Sequence, residues 1–217
     1  MTPAQVWSIV VAGGSGQRFG QMKQFALLAD RPVVAWTVAA CRPLSTGIIL
    51  VVPAGTPEGV DFGADLTVEG GPTRSESVRR GLAQVPPEAE IIVVHDAARP
   101  LASPELFRRV VEAVTHEGAD GAIPGVPVSD TIKRVDDTGR VTDTLDRAAL
   151  VAVQTPQAFR AGALRRAHAA GAEATDDAAL VEALGATVQV VEGELRNLKV
   201  TTPGDLRTAE QLLGGRE

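Results

Sequence analysis

Hydrophobic positions along this chain alternate between two spacings. Short runs rich in Val and Ile are followed by longer segments in which Ala, Leu and Arg recur at helical spacing. This alternation is typical of a mostly parallel β-sheet covered on both faces by helices. The pattern predicts strands at Ser8–Val11, Gly47–Val52, Asp65–Val68, Ile91–His95, Gly118–Ile123, Ala149–Val153 and Thr187–Val191. It predicts helices at Pro32–Cys41, Thr73–Ala83, Pro104–Glu117, Phe159–Ala170, Asp176–Leu184 and Pro203–Leu213.

One segment departs from this alternation. Residues 126–146 contain two β-rich stretches on either side of Asp137-Thr138-Gly139, a sequence typical of a hairpin turn. A two-stranded ribbon alone is marginally stable in water, so we expect this arm, residues 126–148, to pack against a second copy of the chain. The alternative is an arm folded on its own domain. The overall prediction is one α/β, Rossmann-like three-layer domain over residues 1–217, with a protruding β-arm used for homodimerisation.

Composition narrows the possible partners. The 217 residues suit one α/β domain, and the net charge of −6 with 3% aromatic residues disfavours nucleic acid as a partner. Cys41 is the only cysteine, which excludes an internal disulfide and a cysteine metal cluster. The amino terminus lacks a basic segment followed by a long apolar one, and no apolar run approaches ~18 residues. We therefore expect a cytoplasmic protein without a membrane partner.

A glycine-rich loop follows the first predicted strand. Its small residues let backbone N–H groups approach an anion closely, and they are Ala12, Gly13, Gly14 and Gly16. Arg18 and Lys23 add positive charge where a polyphosphate would lie. The loop lacks the Lys-Ser/Thr ending of a Walker motif, and Gly20 comes one position late for a dinucleotide fingerprint. The loop is interpreted as a phosphate cradle, the alternative being a glycine-rich turn with two solvated cations.

A second candidate site is the segment H-D-A-A-R-P, residues 95–100, which directly follows a strongly apolar predicted strand. Open α/β sheets bind ligands at the carboxyl ends of their strands, where Asp96 and Arg99 would lie. The Asp96 carboxylate suits Mg²⁺, which takes one or two carboxylates and completes its shell with water and substrate phosphates. The alternative is a local salt bridge and turn formed by Asp96 and Arg99.

A third segment, G-G-P-T-R-S-E-S-V at residues 70–78, follows a predicted strand and starts a helix. Arg74 and Ser77 are three residues apart, so they share one helical face and could both reach a nucleotide at the helix amino end. Thr73 with Glu76 also forms a capping-box pattern, which is the purely structural interpretation of this segment.

Read in chain order, these motifs resemble a known family. The chain carries A-x-G-x-G-x-R, K-Q, G-G-x-x-R-x-x-S-V, V-H-D-A-A-R-P, D-T-I-K, D-R, T-P-Q, T-D-D and N-L-K-V-T. Together they resemble the 2-C-methyl-D-erythritol 4-phosphate cytidylyltransferase family of nucleotidyltransferases, from about Ile9 to Leu206. The resemblance implies transfer of a cytidylyl group from CTP to methylerythritol phosphate in non-mevalonate isoprenoid precursor synthesis, with release of pyrophosphate and a requirement for magnesium.

The resemblance also implies roles for individual residues. The residues implied to act directly in catalysis are Arg18, Lys23, Arg147 and Lys199. The residues implied to bind the nucleotide are Ala12, Gly13, Gly14, Gly16, Arg18, Lys23, Gly71, Arg74, Ser77, Asp96 and Ala97, with Asp96 also the metal ligand. The residues implied to bind the acceptor are Arg99, Thr131, Arg147, Thr155, Thr175 and Lys199. Thr131 and Arg147, on or beside the β-arm, are implied to be donated across a dimer.

Elementary chemistry agrees with this assignment. A phosphate monoester is already anionic near neutral pH, so its attack needs neutralised charge and alignment more than a general base. His95 is accordingly interpreted as a packed neighbour, while His116 and His168 lie in helical segments and are expected to be exposed.

Three other functions stay open from the sequence alone. They are a ribitol 5-phosphate cytidylyltransferase, a noncatalytic nucleotide-binding regulator and a nicotinamide-dependent oxidoreductase.

Overall fold

Strands and helices alternate along residues 4–13, 25–57 and 59–215, the part of the chain that this computed structural model describes. The strands are β1 Val6–Val11, β2 Leu27–Leu28, β3 Arg31–Pro32, β4 Gly47–Val52, β5 Leu66–Glu69, β6 Ile91–Asp96, β7 Gly121–Pro127, β8 Lys133–Val135, β9 Val141–Thr144, β10 Val151–Val153, β11 Gln157–Arg160 and β12 Val188–Glu192. The helices are α1 Val33–Cys41, α2 Arg74–Leu82, α3 Pro104–Thr115, α4 Ala161–Ala169, α5 Asp177–Glu182 and α6 Pro203–Gly214. None of these helices is long and apolar enough to cross a membrane.

The central sheet has the strand order β10-β7-β11-β6-β1-β4-β5, with β12 paired to β7. The ladders β1–β4, β1–β6, β4–β5 and β12–β7 are parallel, whereas β11 runs antiparallel to β6 and β7, and β10 antiparallel to β7. Because β1, β4 and β6 are parallel, the backbone segments that leave their carboxyl ends meet at one edge of the sheet. Ala12-Gly13 follows β1, residues 70–78 follow β5, and Asp96 with the residues up to Pro100 ends and follows β6, so the described parts of the predicted ligand-binding segments lie at these strand ends.

Helices cover both faces of the sheet, which confirms the predicted α/β fold. Alternate residues of β1 point to opposite faces: Val10 lies in a core with Phe107 of α3, and Ile9 lies in a core with Leu164 of α4. The strands β4 and β6 are buried along their whole length, as expected for strands covered on both sides. A smaller third core joins α6 to α1 and to the short β2–β3 hairpin.

The prediction of a helix from Phe159 to Ala170 is wrong at its start. Residues Gln157–Arg160 form β11, and α4 begins only at Ala161. Phe159 pairs with Ile92 and Gly121, and a Cβ added to Gly121 would lie 2.6 Å from the Phe159 ring. Pairing with strands far along the chain therefore determines that this segment is a strand. Its own composition is equally compatible with the first turn of a helix.

The predicted hairpin is present as β8 and β9. The Asp136 carboxylate accepts bonds from the backbone N–H groups of Thr138 and Arg140, and Gly139 has a φ of 82°. Both strands are exposed along their whole length, including Val135 and Val141. The strand predicted at Ala149–Val153 is shorter than expected, because residues Arg147–Ala149 form a 3-10 turn ahead of β10.

Candidate functional site

Asp96 ends β6 at the carboxyl edge of the sheet, between two cations. Lys199 Nζ lies 2.6 Å from its Oδ2 and Arg74 Nε lies 3.4 Å from its Oδ1. Burial opposes ionisation of this carboxyl, but the charges of Arg74 and Lys199 outweigh that effect and hold the pKa of Asp96 well below its usual range. The alternative of an Asp96–Arg99 salt bridge is wrong, although the Arg99 N–H does close a turn onto the Asp96 carbonyl at 3.0 Å.

The Thr155 hydroxyl forms hydrogen bonds with the last two residues of β6. It accepts from the Asp96 N–H at 3.0 Å and lies 2.8 Å from His95 Nδ1, while His95 Nε2 lies 3.2 Å from the Arg99 carbonyl. A carbonyl only accepts, so Nε2 carries the ring proton and the Thr155 hydroxyl donates to Nδ1. His95 is thus a buried, hydrogen-bonded neighbour as predicted, and the hydroxyl of Thr155 is engaged in orienting Asp96.

The His95 ring makes stability depend on pH. Burial lowers its pKa from 6.5 to about 3, so between these values the unfolded chain binds a proton that the folded chain does not. The free energy of unfolding should therefore fall as the pH decreases below about 6.5, by up to about 1.4 kcal/mol per pH unit. Denaturant unfolding from pH 7 to pH 5 should show a smaller slope for His95→Gln than for the unmodified protein. The exposed His116→Gln is the control, and parallel curves for His95→Gln and the unmodified protein would refute this role.

The segment that carries Lys199 is held by a buried amide pair. Asn197 Nδ2 donates to Gln154 Oε1 at 3.2 Å and to the Thr155 carbonyl at 2.9 Å. The Arg99 guanidinium donates to the Asn197 carbonyl at 2.7 Å. Arg99 therefore supports the backbone beside Lys199. The sequence interpretation assigns no role to Asn197 or Gln154, although Asn197 is the first residue of N-L-K-V-T and Gln154 directly precedes T-P-Q.

Two of the predicted nucleotide-binding segments meet at Ser77. The Ser77 hydroxyl accepts from the Gly71 N–H at 3.1 Å and donates to the Thr73 carbonyl at 2.9 Å. A Cβ added to Gly13 would lie 2.9 Å from that hydroxyl oxygen, so the residue must be small for the two segments to approach. Ala12 and Ala97 are held beside them, because their N–H groups donate to the carbonyls of the neighbouring strands β4 and β1, respectively.

Arg74 joins Asp96 to a second buried carboxylate. Its Nη1 lies 2.8 Å from Asp177 Oδ2, and His168 Nε2 lies 2.9 Å from Asp177 Oδ1. The prediction that His168 is exposed is wrong, because its ring turns inward from α4 onto the first residue of α5. His116 is exposed as predicted. Nothing in the helical pattern around His168 shows that an acidic partner lies nine residues later.

Not every predicted residue joins this cluster. Gly14, Gly16, Arg18 and Lys23 lie outside the described residues. Thr131, Arg147 and Thr175 are not buried, and Arg147 donates to the Ser129 carbonyl within the base of the arm. In the described segments no side-chain bond links these three to Asp96.

The arrangement suits the handling of a polyanion. Asp96 is one carboxylate flanked by the cations of Arg74 and Lys199, and the described residues contain no group of three or more His, Cys, Asp or Glu side chains that could enclose a metal. Mg²⁺ fits such a site when one carboxylate is joined by phosphate oxygens and water. A single carboxylate of this kind could hold a metal only together with oxygen ligands from elsewhere, such as phosphate or water.

Comparisons with known proteins agree with this geometry. The sequence model of the IspD family, 2-C-methyl-D-erythritol 4-phosphate cytidylyltransferase, matches residues 6–215. Proteins of that name from Nostoc punctiforme and Rubrobacter xylanophilus are similar to this chain, with 44% identity over 225 residues and 45% over 223 residues. The first match covers 96% of this chain and 98% of the relative, and the second covers 97% and 95%. A crystal structure of the Thermus thermophilus protein of that name matches with a TM-score of 0.81 and 36% identity, over 95% of this chain and 98% of that one.

Proposed function

Because the chain belongs to the 2-C-methyl-D-erythritol 4-phosphate cytidylyltransferase family, we propose that it transfers a cytidylyl group from CTP to 2-C-methyl-D-erythritol 4-phosphate. The products are 4-diphosphocytidyl-2-C-methyl-D-erythritol and pyrophosphate, and the reaction serves isoprenoid precursor synthesis. The observation that carries the proposal is Asp96 at the sheet edge between Arg74 and Lys199, in a chain matched over nearly its whole length. The comparisons do not favour the pentitol, regulatory or oxidoreductase alternatives.

The reaction joins two anions. A phosphate oxygen of the acceptor attacks the α-phosphorus of CTP, a new P–O bond forms, and the bond to the bridging oxygen of the β-phosphate breaks. The acceptor phosphate is already ionised near neutral pH, so no residue has to remove a proton. His95 agrees with this, because its ring is buried, its pKa is lowered to about 3 by that burial, and both ring nitrogens are engaged.

The protein would accelerate the reaction by neutralising the charge of the two phosphate groups and by aligning them. Asp96 would hold Mg²⁺ together with triphosphate oxygens, and the cation would withdraw negative charge from the triphosphate. Lys199, whose side chain is 43% exposed, can leave Asp96 and turn to the acceptor phosphate. Arg18 and Lys23 are proposed to stabilise the triphosphate, as the resemblance implies.

We propose further that the chain is a homodimer formed through the β-arm and that Arg147 acts at the partner's acceptor site. The exposed valines of the arm, Val135 and Val141, support an interface there. Both proposed substrates are charged phosphates that do not cross membranes unaided, so we place the activity in the cytoplasm.

Mixing two impaired variants, assayed with methylerythritol phosphate well below its KM, tests this arrangement. Arg147→Ala should raise the KM for methylerythritol phosphate more than tenfold and leave the KM for CTP nearly unchanged, since one charged contact to phosphate is lost. In a mixed dimer of Arg147→Ala with Lys199→Ala, one site would combine both unmodified residues. Equal mixing after exchange of subunits should therefore restore about a quarter of the full activity, because half of the dimers are mixed and each has one intact site. No restoration would place Arg147 in the site of its own chain.

Phosphorus NMR tests the proposed reaction itself. CTP, methylerythritol phosphate and Mg²⁺ incubated with the protein should lose the triphosphate signals and gain those of pyrophosphate and of an asymmetric diphosphate diester. Chelation by EDTA should stop the reaction, and added Mg²⁺ should restart it. Unchanged spectra in the presence of folded protein would refute the proposal.

A further inference from the structure

Asp177 is a fully buried carboxylate for which the proposed reaction has no direct use. It is the first residue of α5, and its side chain has a relative exposure of 0%. Its two oxygens face different partners: Oδ1 lies 2.9 Å from His168 Nε2, and Oδ2 lies 2.8 Å from Arg74 Nη1. A buried charge is costly unless it is paired, and the contact with Arg74 supplies that pairing as a close ion pair rather than as a well-directed hydrogen bond.

Arg74 connects that carboxylate to the sheet edge. The guanidinium uses Nη1 toward Asp177 and Nε toward Asp96, so one planar group spans two carboxylates. Arg74 is also the first residue of α2, in the segment that holds Gly71 and Ser77. Its direction is therefore determined by α5, an element about a hundred residues later in the chain.

The loop before α5 is fastened to α2 by further contacts. The Arg79 guanidinium donates to Glu173 at 2.7 Å and to the Ala172 carbonyl at 3.0 Å, and the Ala174 N–H donates to Ser75 Oγ at 3.4 Å. This loop carries Thr175, which is proposed to face the acceptor. Two ion pairs thus connect α2, on the proposed nucleotide side, to the segment on the proposed acceptor side. One is the more exposed pair of Arg79 with Glu173, and the other is the buried pair of Arg74 with Asp177.

We propose that Asp177, oriented by His168, is a positioning residue that fixes the Arg74 guanidinium between Asp96 and the bound cytidine nucleotide. This inference rests on the proposed function. With the Asp177 carboxylate in place, the Arg74 guanidinium lies between two carboxylates and keeps one face toward the nucleotide. Without the Asp177 carboxylate, the Arg74 guanidinium pairs with Asp96 alone, and the nucleotide loses a cation held in a fixed position.

A double-mutant cycle tests the route through Arg74. The proteins are the unmodified chain, Asp177→Asn, Arg74→Gln and the double variant, and the readout is the dissociation constant of CTP measured by calorimetry without acceptor. Asp177→Asn should weaken CTP binding about tenfold, with less than a threefold change in the KM for methylerythritol phosphate. In the Arg74→Gln background the same change should weaken CTP binding less than twofold, because its effect passes through Arg74. Equal losses in both backgrounds would overturn the proposal.

Two more variants test whether Asp177 acts only by holding the loop before α5 against α2. Glu173→Gln removes the exposed pair between the same loop and α2 without touching Asp96, and it should bind CTP within twofold of the unmodified chain. If Asp177→Asn does not fold, Arg74→Lys decides, because it keeps the charge but is too short and lacks the fork needed to span both carboxylates. It should weaken CTP binding about fivefold in a folded protein, and unchanged binding would overturn the proposal. Turnover by the unmodified chain is measured in parallel, since its absence would refute the proposed function rather than this role of Asp177.

Discussion

Replacement of Asp96 with Asn is expected to lower kcat about a thousandfold at saturating CTP and methylerythritol phosphate. The amide keeps the shape of the side chain but loses the negative charge that would hold Mg²⁺ at the triphosphate, and it leaves Arg74 and Lys199 without their shared anion. Loss of one such electrostatic element in a preorganised site typically costs two to three orders of magnitude, about 3–4 kcal/mol of transition-state stabilisation. Steady-state rates of pyrophosphate release, measured across a range of Mg²⁺ concentrations, give this number directly.

The control for Asp96 is an acidic residue at the opposite edge of the sheet. Asp65 pairs with Arg42 at 2.8 Å beside the amino end of β4, away from the site. Asp65→Asn should leave kcat within twofold. A kcat for Asp96→Asn within tenfold of the unmodified protein, at ordinary Mg²⁺ concentrations, would show that this carboxylate is not the metal ligand.

The second large effect is expected at Lys199. Lys199→Ala should lower kcat about a hundredfold, because the ammonium beside Asp96 is proposed to move to the acceptor phosphate as charge accumulates during attack. Lys199→Arg should keep roughly a tenth of the activity, since the charge remains but its geometry changes. The melting temperature should fall by only a few degrees, because the ammonium is partly exposed and Arg74 still pairs with the buried Asp96.

Arg42→Gln is the matched control for loss of one positive charge, because Arg42 lies at the opposite edge of the sheet. It should leave kcat and both KM values within twofold. If Lys199→Ala instead raised the KM for CTP with kcat unchanged, Lys199 would be a ground-state contact of the nucleotide rather than a group used in the transition state.

Local sequence predicted most of the fold. The buried runs of β4 and β6 and the Pro-initiated helices α3 and α6 carry strong local signals, since continuous apolar runs need burial on both faces and Pro is favoured in the first helical turn. β11 carries no such signal. Its four residues form a strand because they pair antiparallel with β6 on one side and with β7 on the other. Both partners are distant in sequence, so local composition does not predict this pairing.

The site residues also divide into those that local motifs indicate and those that only the fold brings together. Asp96 and Lys199 lie in recognisable motifs, Asp96 at the end of an apolar strand, and the structure brings their side chains to 2.6 Å of each other. The buried link from His168 through Asp177 to Arg74 could not be predicted, because its members come from three helices. A helical pattern shows which face is apolar, but it does not show which polar side chain will meet another across the core.

The central claim is tested most directly by the choice of acceptor. Pyrophosphate release should be measured with CTP and Mg²⁺ in parallel with methylerythritol phosphate and with ribitol 5-phosphate, and then with ATP, GTP and UTP in place of CTP. We expect rapid release with CTP and methylerythritol phosphate, and at least a hundredfold slower release with the pentitol phosphate or another nucleotide. Equal or faster release with ribitol 5-phosphate, or no release with either acceptor, would contradict the proposed function.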